Sequence, residues 1–137
     1  MKNLIEKIKE HEGYRSSVYQ CTEGYDTIGY GFAIKDLQLS EEICDIILAE
    51  KLAKLQFDIS NKFEWFDDSP VIVKDVVTNM CYQIGVSGFN KFKKTIYYLE
   101  TEQYEEASLE MLDSLWAKQT PNRAKELSKQ ISSLATD

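Results

Sequence analysis

The sequence contains few of the residues that mark specialised classes of protein. Its 137 residues include two prolines, six glycines and one histidine, and no apolar run is long enough to cross a bilayer. The shortage of proline and glycine excludes collagen-like and low-complexity chains. A chain of this length buries roughly two-thirds of the surface that it exposes when unfolded. We therefore expect one globular domain that needs neither disulfides nor a structural metal.

Positive charge is also scarce. The chain carries 16 Lys and Arg against 23 Asp and Glu, a formal net charge of −7. Binding to nucleic acid depends on clustered basic residues that release counterions from phosphates. The charge balance therefore predicts no nucleic-acid partner and disfavours anionic partners in general.

Cysteine is rare, and Cys21, Cys44 and Cys81 lie far apart. They lack the close pairing with histidine that is typical of zinc sites, and an odd number of separated thiols is not a disulfide framework. Residues 1–11 mix charged and apolar side chains, unlike a signal peptide or a membrane anchor. We expect a cytoplasmic protein with reduced thiols, no metal and no organic cofactor. Cys44 and Cys81 stand among apolar residues of predicted helices and are predicted to lie in the core.

Apolar periodicity predicts a helix over residues 3–12, with Asn3 and Glu6 spaced as a capping box. Strand-forming residues predict a β-hairpin over 14–32, with its turn at 22–24. A long helix is predicted from its cap at Ser40 to about residue 60. Further helices are predicted from 69 to a stop at Gly85, and then over 90–99, 101–116 and 121–134, the last capped by Thr120.

This order of elements predicts an α+β fold. A small hairpin-bearing lobe, about residues 13–60, would be joined by the long helix to a larger helical lobe of residues 61–137 together with 1–12. We expect a substrate to lie in a cleft between two such lobes.

Three residues near the hairpin could carry chemistry. Glu12 lies in the last turn of the first helix, where the negative end of the helix dipole disfavours the ionised carboxylate and suits an acid catalyst. Cys21 lies near the hairpin turn, and Thr27 lies on the returning strand. Each also has an ordinary interpretation: Glu12 as a solvated surface residue, Cys21 as a small core residue and Thr27 as a strand former.

The spacing of these residues is specific. Eight residues separate Glu12 from Cys21, and five separate Cys21 from Thr27. In this spacing, and in a second block, the chain resembles the phage-type lysozymes, the endolysins of the T-even coliphage kind. The second block comprises Asn79-Met80, Gln83-Ile84-Gly85, Gly88-Phe89, Trp116 and Gln119-Thr120-Pro121-Asn122-Arg123-Ala124.

The resemblance implies hydrolysis of the β-1,4 bond between N-acetylmuramic acid and N-acetylglucosamine in peptidoglycan. It implies that Glu12 is the general acid, that Thr27 helps to place the attacking water and that Arg123 approaches Glu12 from the helical lobe. It also implies a lysozyme-like fold with a reduced sheet region, because the segment between Gly31 and Ser40 is short. Implied substrate contacts are Gly31, Ala33, Tyr82, Gln83, Phe92, Glu110, Gln119 and Arg123. Trp116 could stack on sugars, but its helical spacing favours a place in the core.

Two departures from the family matter. Cys21 stands where the best-known members have aspartate, and Phe32 replaces a family histidine. An ordinary thiol, with a pKa near 8.5, is mostly neutral at pH 7. The pKa of Cys21 is therefore lowered, or Cys21 acts as a nucleophile, or a neighbour takes over its role. Two alternatives remain: a peptidoglycan-binding pseudoenzyme, and an acidic interaction protein such as a nucleic-acid mimic.

The resemblance also implies a cellular context. We expect a monomer, without stable membrane association, that accumulates in the host cytoplasm. It would reach the wall only after a separate protein permeabilises the membrane.

Overall fold

A computed structural model describes residues 1–135, which divide into two compact units. The first comprises Met1–Asp45 and the second begins at Ile46. The described residues form seven α-helices and a three-stranded antiparallel sheet, so the predicted α+β class is confirmed. The sequence-based lobe boundaries, which assign residues 1–12 to the helical lobe, stay a prediction.

The first unit opens with helix α1, Leu4–Glu12, and its capping box is as predicted. The Asn3 side chain accepts a hydrogen bond from the Glu6 backbone N–H at 2.9 Å, and the Asn3 N–H donates to the Glu6 carboxylate at 3.3 Å. These bonds satisfy donors that a helix start leaves without intrahelical partners. The helix ends with Glu12 in its last turn.

The sheet follows, with β1 (Arg15–Gln20), β2 (Asp26–Gly29) and β3 (Phe32–Ala33) in that spatial order. The predicted hairpin is confirmed as β1 and β2, and Thr27 of β2 lies opposite Tyr19 of β1 and Ala33 of β3. Strand β3 was not predicted, because two residues are too few to show an alternating pattern.

Helix α2, Glu41–Lys62, is the predicted long helix. Ser40 caps it, since its hydroxyl accepts the Ile43 N–H at 3.2 Å. The prediction that Cys44 lies in the core is wrong, because its side chain is exposed. A helical stripe shows which residues share a face but not whether anything covers that face.

The second unit continues with five helices: α3 (Val71–Phe89), α4 (Lys93–Glu100), α5 (Tyr104–Leu112), α6 (Leu115–Gln119) and α7 (Pro121–Ser132). Helix α3 is broken at Gly85, where φ is 79° and ψ is 161°, so the predicted helix stop is confirmed.

The single helix predicted over 101–116 is wrong, because α5 and α6 are separate. Ser114 starts α6 by accepting the Ala117 N–H at 3.1 Å, and a serine cap begins a new helix more readily than it continues an old one. Thr120 does precede α7, but its side chain makes no cap bond. Its hydroxyl instead donates to the Trp116 carbonyl at 2.9 Å.

The hydrophobic core lies in the second unit and centres on Phe89, which is fully buried. Trp116 and Cys81 belong to this core, as predicted. Burial raises the pKa of the Cys81 thiol to about 12, which keeps it neutral. Among residues 1–45, in contrast, the described structure buries only Thr27. Within residues 1–135 no helix is both long enough and apolar enough to span a membrane.

Candidate active site

Cys21 lies at the start of the turn that joins β1 to β2. Its backbone N–H donates to the Tyr25 carbonyl at 3.0 Å, and the Gly24 N–H donates to the Cys21 carbonyl at 2.9 Å. These two bonds close a tight turn. The backbone N–H groups of Glu23 and Tyr25 take no part in them and can face the thiol.

The turn stabilises a thiolate at Cys21. Hydrogen bonds from the backbone of Tyr25, and then of Glu23, lower the pKa of the Cys21 thiol, and the Thr27 hydroxyl contributes in the same direction. Partial desolvation and the negative charge of Glu23 raise this pKa, but their combined effect is smaller. Cys21 is therefore closer to an anion than an ordinary cysteine is.

Thr27 is 3% exposed and lies beside this thiol. Its Oγ1 donates to the Tyr25 carbonyl at 2.9 Å. A hydroxyl has one hydrogen to donate and two lone pairs that accept. The Thr27 hydroxyl can therefore donate its one hydrogen to the Tyr25 carbonyl or to the Cys21 thiol, and it can also accept a hydrogen bond from a water. Asp26, its neighbour along the strand, is exposed, because successive side chains of a strand point to opposite faces.

Glu12 contacts the turn between β2 and β3. A Cβ atom built on Gly31 would lie 2.6 Å from Glu12 Oε2, so the carboxyl group rests against the Gly31 backbone. Gly31 precedes β3, whose Ala33 pairs with Thr27. The first unit thus brings five predicted site residues to one small sheet: Glu12, Cys21, Thr27, Gly31 and Ala33.

The second unit contains a cavity of about 540 Å³. Trp116 forms part of its wall, and the Trp116 indole N–H donates to Gln83 Oε1 at 2.8 Å, which fixes the amide of Gln83. Four predicted substrate contacts line this cavity: Gln83, Phe92, Glu110 and Gln119.

Three lysines, Lys91, Lys93 and Lys94, also line this cavity, and the sequence reasoning did not include them among the site residues. Their clustering around Phe92, itself a predicted contact, is the signal that could have found them. Glu110 and Asp113 line the same cavity, so its wall carries both positive and negative side chains.

Tyr82 and Arg123 do not reach this cavity and line a second one of about 360 Å³. The Arg123 guanidinium donates to Asn79 Oδ1 from Nε at 2.9 Å and from Nη2 at 2.6 Å. Nη2 also donates to the Asn79 carbonyl at 3.1 Å. Asn79 was missing from the predicted site, although it lies one helical turn before Gln83 on the same face of α3.

The part of the chain that the structure describes contains no evident metal site. Among residues 1–135 no group of three or more His, Cys, Asp or Glu side chains could hold a metal ion.

Comparison with known proteins assigns the chain to a family. The model of the phage lysozyme family matches residues 9–132, a span that contains every candidate residue described above. The chain belongs to the phage lysozyme family. The predicted resemblance is confirmed, and the protein is a lysozyme-type glycoside hydrolase with the α+β fold of the family.

Two relatives are the probable T4-type lysozymes 1 and 2 of Dictyostelium discoideum. Each is 29% identical to this phage lysozyme, over 151 and 153 residues respectively, and each alignment covers 89% of both chains. The pre-baseplate central spike protein Gp5 of Enterobacteria phage T4 is 28% identical over 150 residues. That alignment covers 89% of this chain but 26% of the spike protein.

Proposed function

We propose that this phage lysozyme is an endolysin that hydrolyses the β-1,4 bond between N-acetylmuramic acid and N-acetylglucosamine in peptidoglycan. The observation that carries the proposal is the turn at residues 21–25, which stabilises a Cys21 thiolate beside buried Thr27. Glu12 lies in the same unit, against the next turn of the same sheet. An acid that rests against this sheet and a basic group on the sheet supply the two roles that glycoside hydrolysis requires.

In the proposed mechanism Glu12, in its protonated form, donates a proton to the glycosidic oxygen as the bond breaks. The Cys21 thiolate accepts a proton from a water that attacks the sugar, and the Thr27 hydroxyl holds that water. The backbone N–H groups of Tyr25 and Glu23 keep the negative charge on sulfur until the transfer. Cys21 would thus supply the negative charge that aspartate supplies in the best-known members of the family.

Direct attack by sulfur is the other route that this geometry allows. The Cys21 thiolate would then form a covalent thioglycosyl intermediate, and the product would retain its anomeric configuration. Attack by water gives inversion. The anomeric signals of the first product, followed by NMR, distinguish the two routes.

Substrate contacts complete the proposal. Gln83, Phe92, Glu110 and Gln119 would bind the glycan and its peptide in the larger cavity, and the lysines on its wall would meet peptide carboxylates. Gly31 and Ala33 in the first unit, and Tyr82 and Arg123 in the second, would make the remaining contacts.

The proposed cellular role follows from the resemblance to endolysins. We propose a monomer that accumulates in the host cytoplasm, without stable membrane association, and acts on the wall after a separate protein permeabilises the membrane. The matched T4-type lysozymes support the lysozyme chemistry on which this role depends.

The role of Glu12 is tested by Glu12→Gln, which keeps the shape of the side chain but removes the acidic proton of the carboxyl group. We expect loss of lysis of bacteria stripped of their outer membrane, measured by turbidity, with unchanged circular dichroism. A fall of at least about 100-fold is expected for a general acid. Glu10→Gln, on the same exposed helix, is the matched control and should lyse normally. Lysis by Glu12→Gln at the wild-type rate would show that another group is the acid.

The role of Cys21 is tested by comparing Cys21→Ala with Cys21→Asp. Alanine removes the basic group and should reduce lysis by about 100-fold or more, whereas aspartate restores a carboxylate and should retain activity. Cys44→Ala replaces an exposed thiol elsewhere and is the control. Full activity in Cys21→Ala would show that the thiol takes no part in the reaction.

A pseudoenzyme that binds peptidoglycan is the second candidate, and the cysteine in place of aspartate is the observation that favours it. Such a protein would sediment with purified cell walls but release no reducing ends. An acidic interaction protein would do neither. The same wall preparation therefore distinguishes all three functions.

A further inference from the structure

Gly31 occupies an unusual place in the first unit. The turn between β2 and β3 contains two glycines with left-handed backbone, Gly29 with a φ of 70° and Gly31 with a φ of 75°. At Gly29 a Cβ atom would meet the Phe32 ring at 2.8 Å, whereas at Gly31 it would meet Glu12 Oε2 at 2.6 Å. The two glycines thus have similar φ angles and differ in the side chain that lies against them.

We infer that Gly31 is the positioning residue for Glu12. The absence of a side chain lets the Glu12 carboxyl group rest directly on the backbone of the turn. This turn is fixed to strand β2, which contains Thr27. Strand β3 pairs with β2, with Ala33 opposite Thr27 and Phe32 opposite Ile28. Gly31 therefore sets where the acid stands relative to the Cys21 and Thr27 pair.

The contact is confined to one carboxyl oxygen and one backbone position. Glu12 Cδ would lie 3.3 Å from an added Cβ and Glu12 Cβ would lie 3.7 Å away, so the far end of the side chain makes the closest approach. A methyl group at residue 31 would push the carboxyl group away from the turn. Because Glu12 is exposed, it has room to move and would lose its position without unfolding the protein.

The inference is tested first by a double-mutant cycle on stability, which does not depend on catalysis. Gly31→Ala is measured alone and together with Glu12→Ala, by thermal unfolding followed through the NMR signals of the β1–β2 sheet. Alanine at a position with positive φ is strained, and we expect Gly31→Ala to lower Tm by about 4 °C from this strain, with a smaller further decrease from displacement of the exposed Glu12 carboxyl group. The second part should disappear in the Glu12→Ala background.

The matched control is the same cycle with Gly29→Ala. This variant has the same backbone strain and a side-chain clash of similar size, but the clash is with Phe32. Its effect on Tm should be equal in the presence and absence of Glu12. If Gly31→Ala also has equal effects in both backgrounds, the inferred contact is wrong. If Gly31→Ala fails to fold, folding of the double variant supports the inference and failure of both overturns it.

The second test is kinetic and rests on the proposed function. Displacement of an acid by about 1 Å costs on the order of 100-fold in rate, so Gly31→Ala should lower kcat by about that factor and change KM less than about twofold. Gly85→Ala also places a side chain at a positive φ, with open space around it, and its kcat should stay near that of the wild type. A change in KM with kcat unchanged would show that Gly31 acts as a sugar contact only, and it would overturn the positioning role. A wild-type protein without hydrolytic activity would refute the proposed function, while the stability cycle would still test the contact.

Discussion

Neighbouring groups decide how readily a thiol ionises, and a single turn lowers the pKa of Cys21. The Tyr25 and Glu23 backbone N–H groups donate to sulfur because the turn is closed by bonds at both of its ends. No basic side chain is involved. The substitution of cysteine for aspartate therefore depends on backbone geometry that any sequence forming this turn could provide.

At the residue scale this predicts a shift in the pH dependence of activity. A base acts when it is ionised, so kcat/KM rises with pH through the pKa of that base. The pKa of Cys21 is lowered, but aspartate in solution ionises near pH 3.9, several units below a thiol. Cys21→Asp should therefore move the acidic limb of the kcat/KM profile to lower pH.

The measurement is the initial rate on a soluble peptidoglycan fragment across the pH range. Cys44→Asp places a carboxylate on the exposed helix α2 and should leave the limb in place. An acidic limb at the same pH in Cys21→Asp and the wild type would show that the limb belongs to a different group.

At the scale of elements, the second unit joins two helices that are far apart in sequence. Asn79 of α3 receives three hydrogen bonds from Arg123 of α7, two at its side-chain oxygen and one at its carbonyl. Such bonds between a charged donor and a fixed acceptor are more directional than an ordinary surface ion pair. They hold Arg123 in one orientation at the wall of the second cavity.

Loss of this link should be measurable. Asn79→Ala removes the side-chain acceptor and should lower the free energy of unfolding by about 1 kcal/mol, since the pair is partly solvated. Asn79→Asp keeps an oxygen at the same place and should retain most of the stability. Urea unfolding measures both, and equal losses in Asn79→Ala with and without Arg123→Ala would show that the bonds contribute nothing.

At the scale of the whole molecule, the net charge of −7 governs encounter with the substrate and not the chemistry. Bacterial walls are commonly anionic, so the proposed enzyme and its substrate should repel each other over long distances. Screening shortens the range of this repulsion from about 30 Å at 0.01 M salt to about 8 Å at 0.15 M.

Lysis should therefore accelerate on addition of moderate salt, as measured by turbidity at fixed pH. A variant with Glu105→Gln and Glu106→Gln on the exposed face of α5 carries less negative charge and should show a weaker acceleration. Slowing of lysis from the lowest salt upward would mean that the lysines around the larger cavity outweigh the net charge.

The sequence by itself determined the features that depend on short stretches of chain. The capping box at Asn3, the cap of α2 at Ser40 and the break at Gly85 follow from local bonds and backbone preferences, and the structure confirms them. The spacing of Glu12, Cys21 and Thr27, together with the second block from Asn79 to Ala124, also predicted the family.

Only the tertiary structure decided what depends on contacts between distant residues. The exposure of Cys44, the pairing of the two-residue strand β3 and the Arg123 bonds to Asn79 have no signature in neighbouring letters. The contact of Gly31 with Glu12 belongs to the same group. Such contacts arise when one element packs on another, and a sequence pattern reports which residues share a face but not what that face meets.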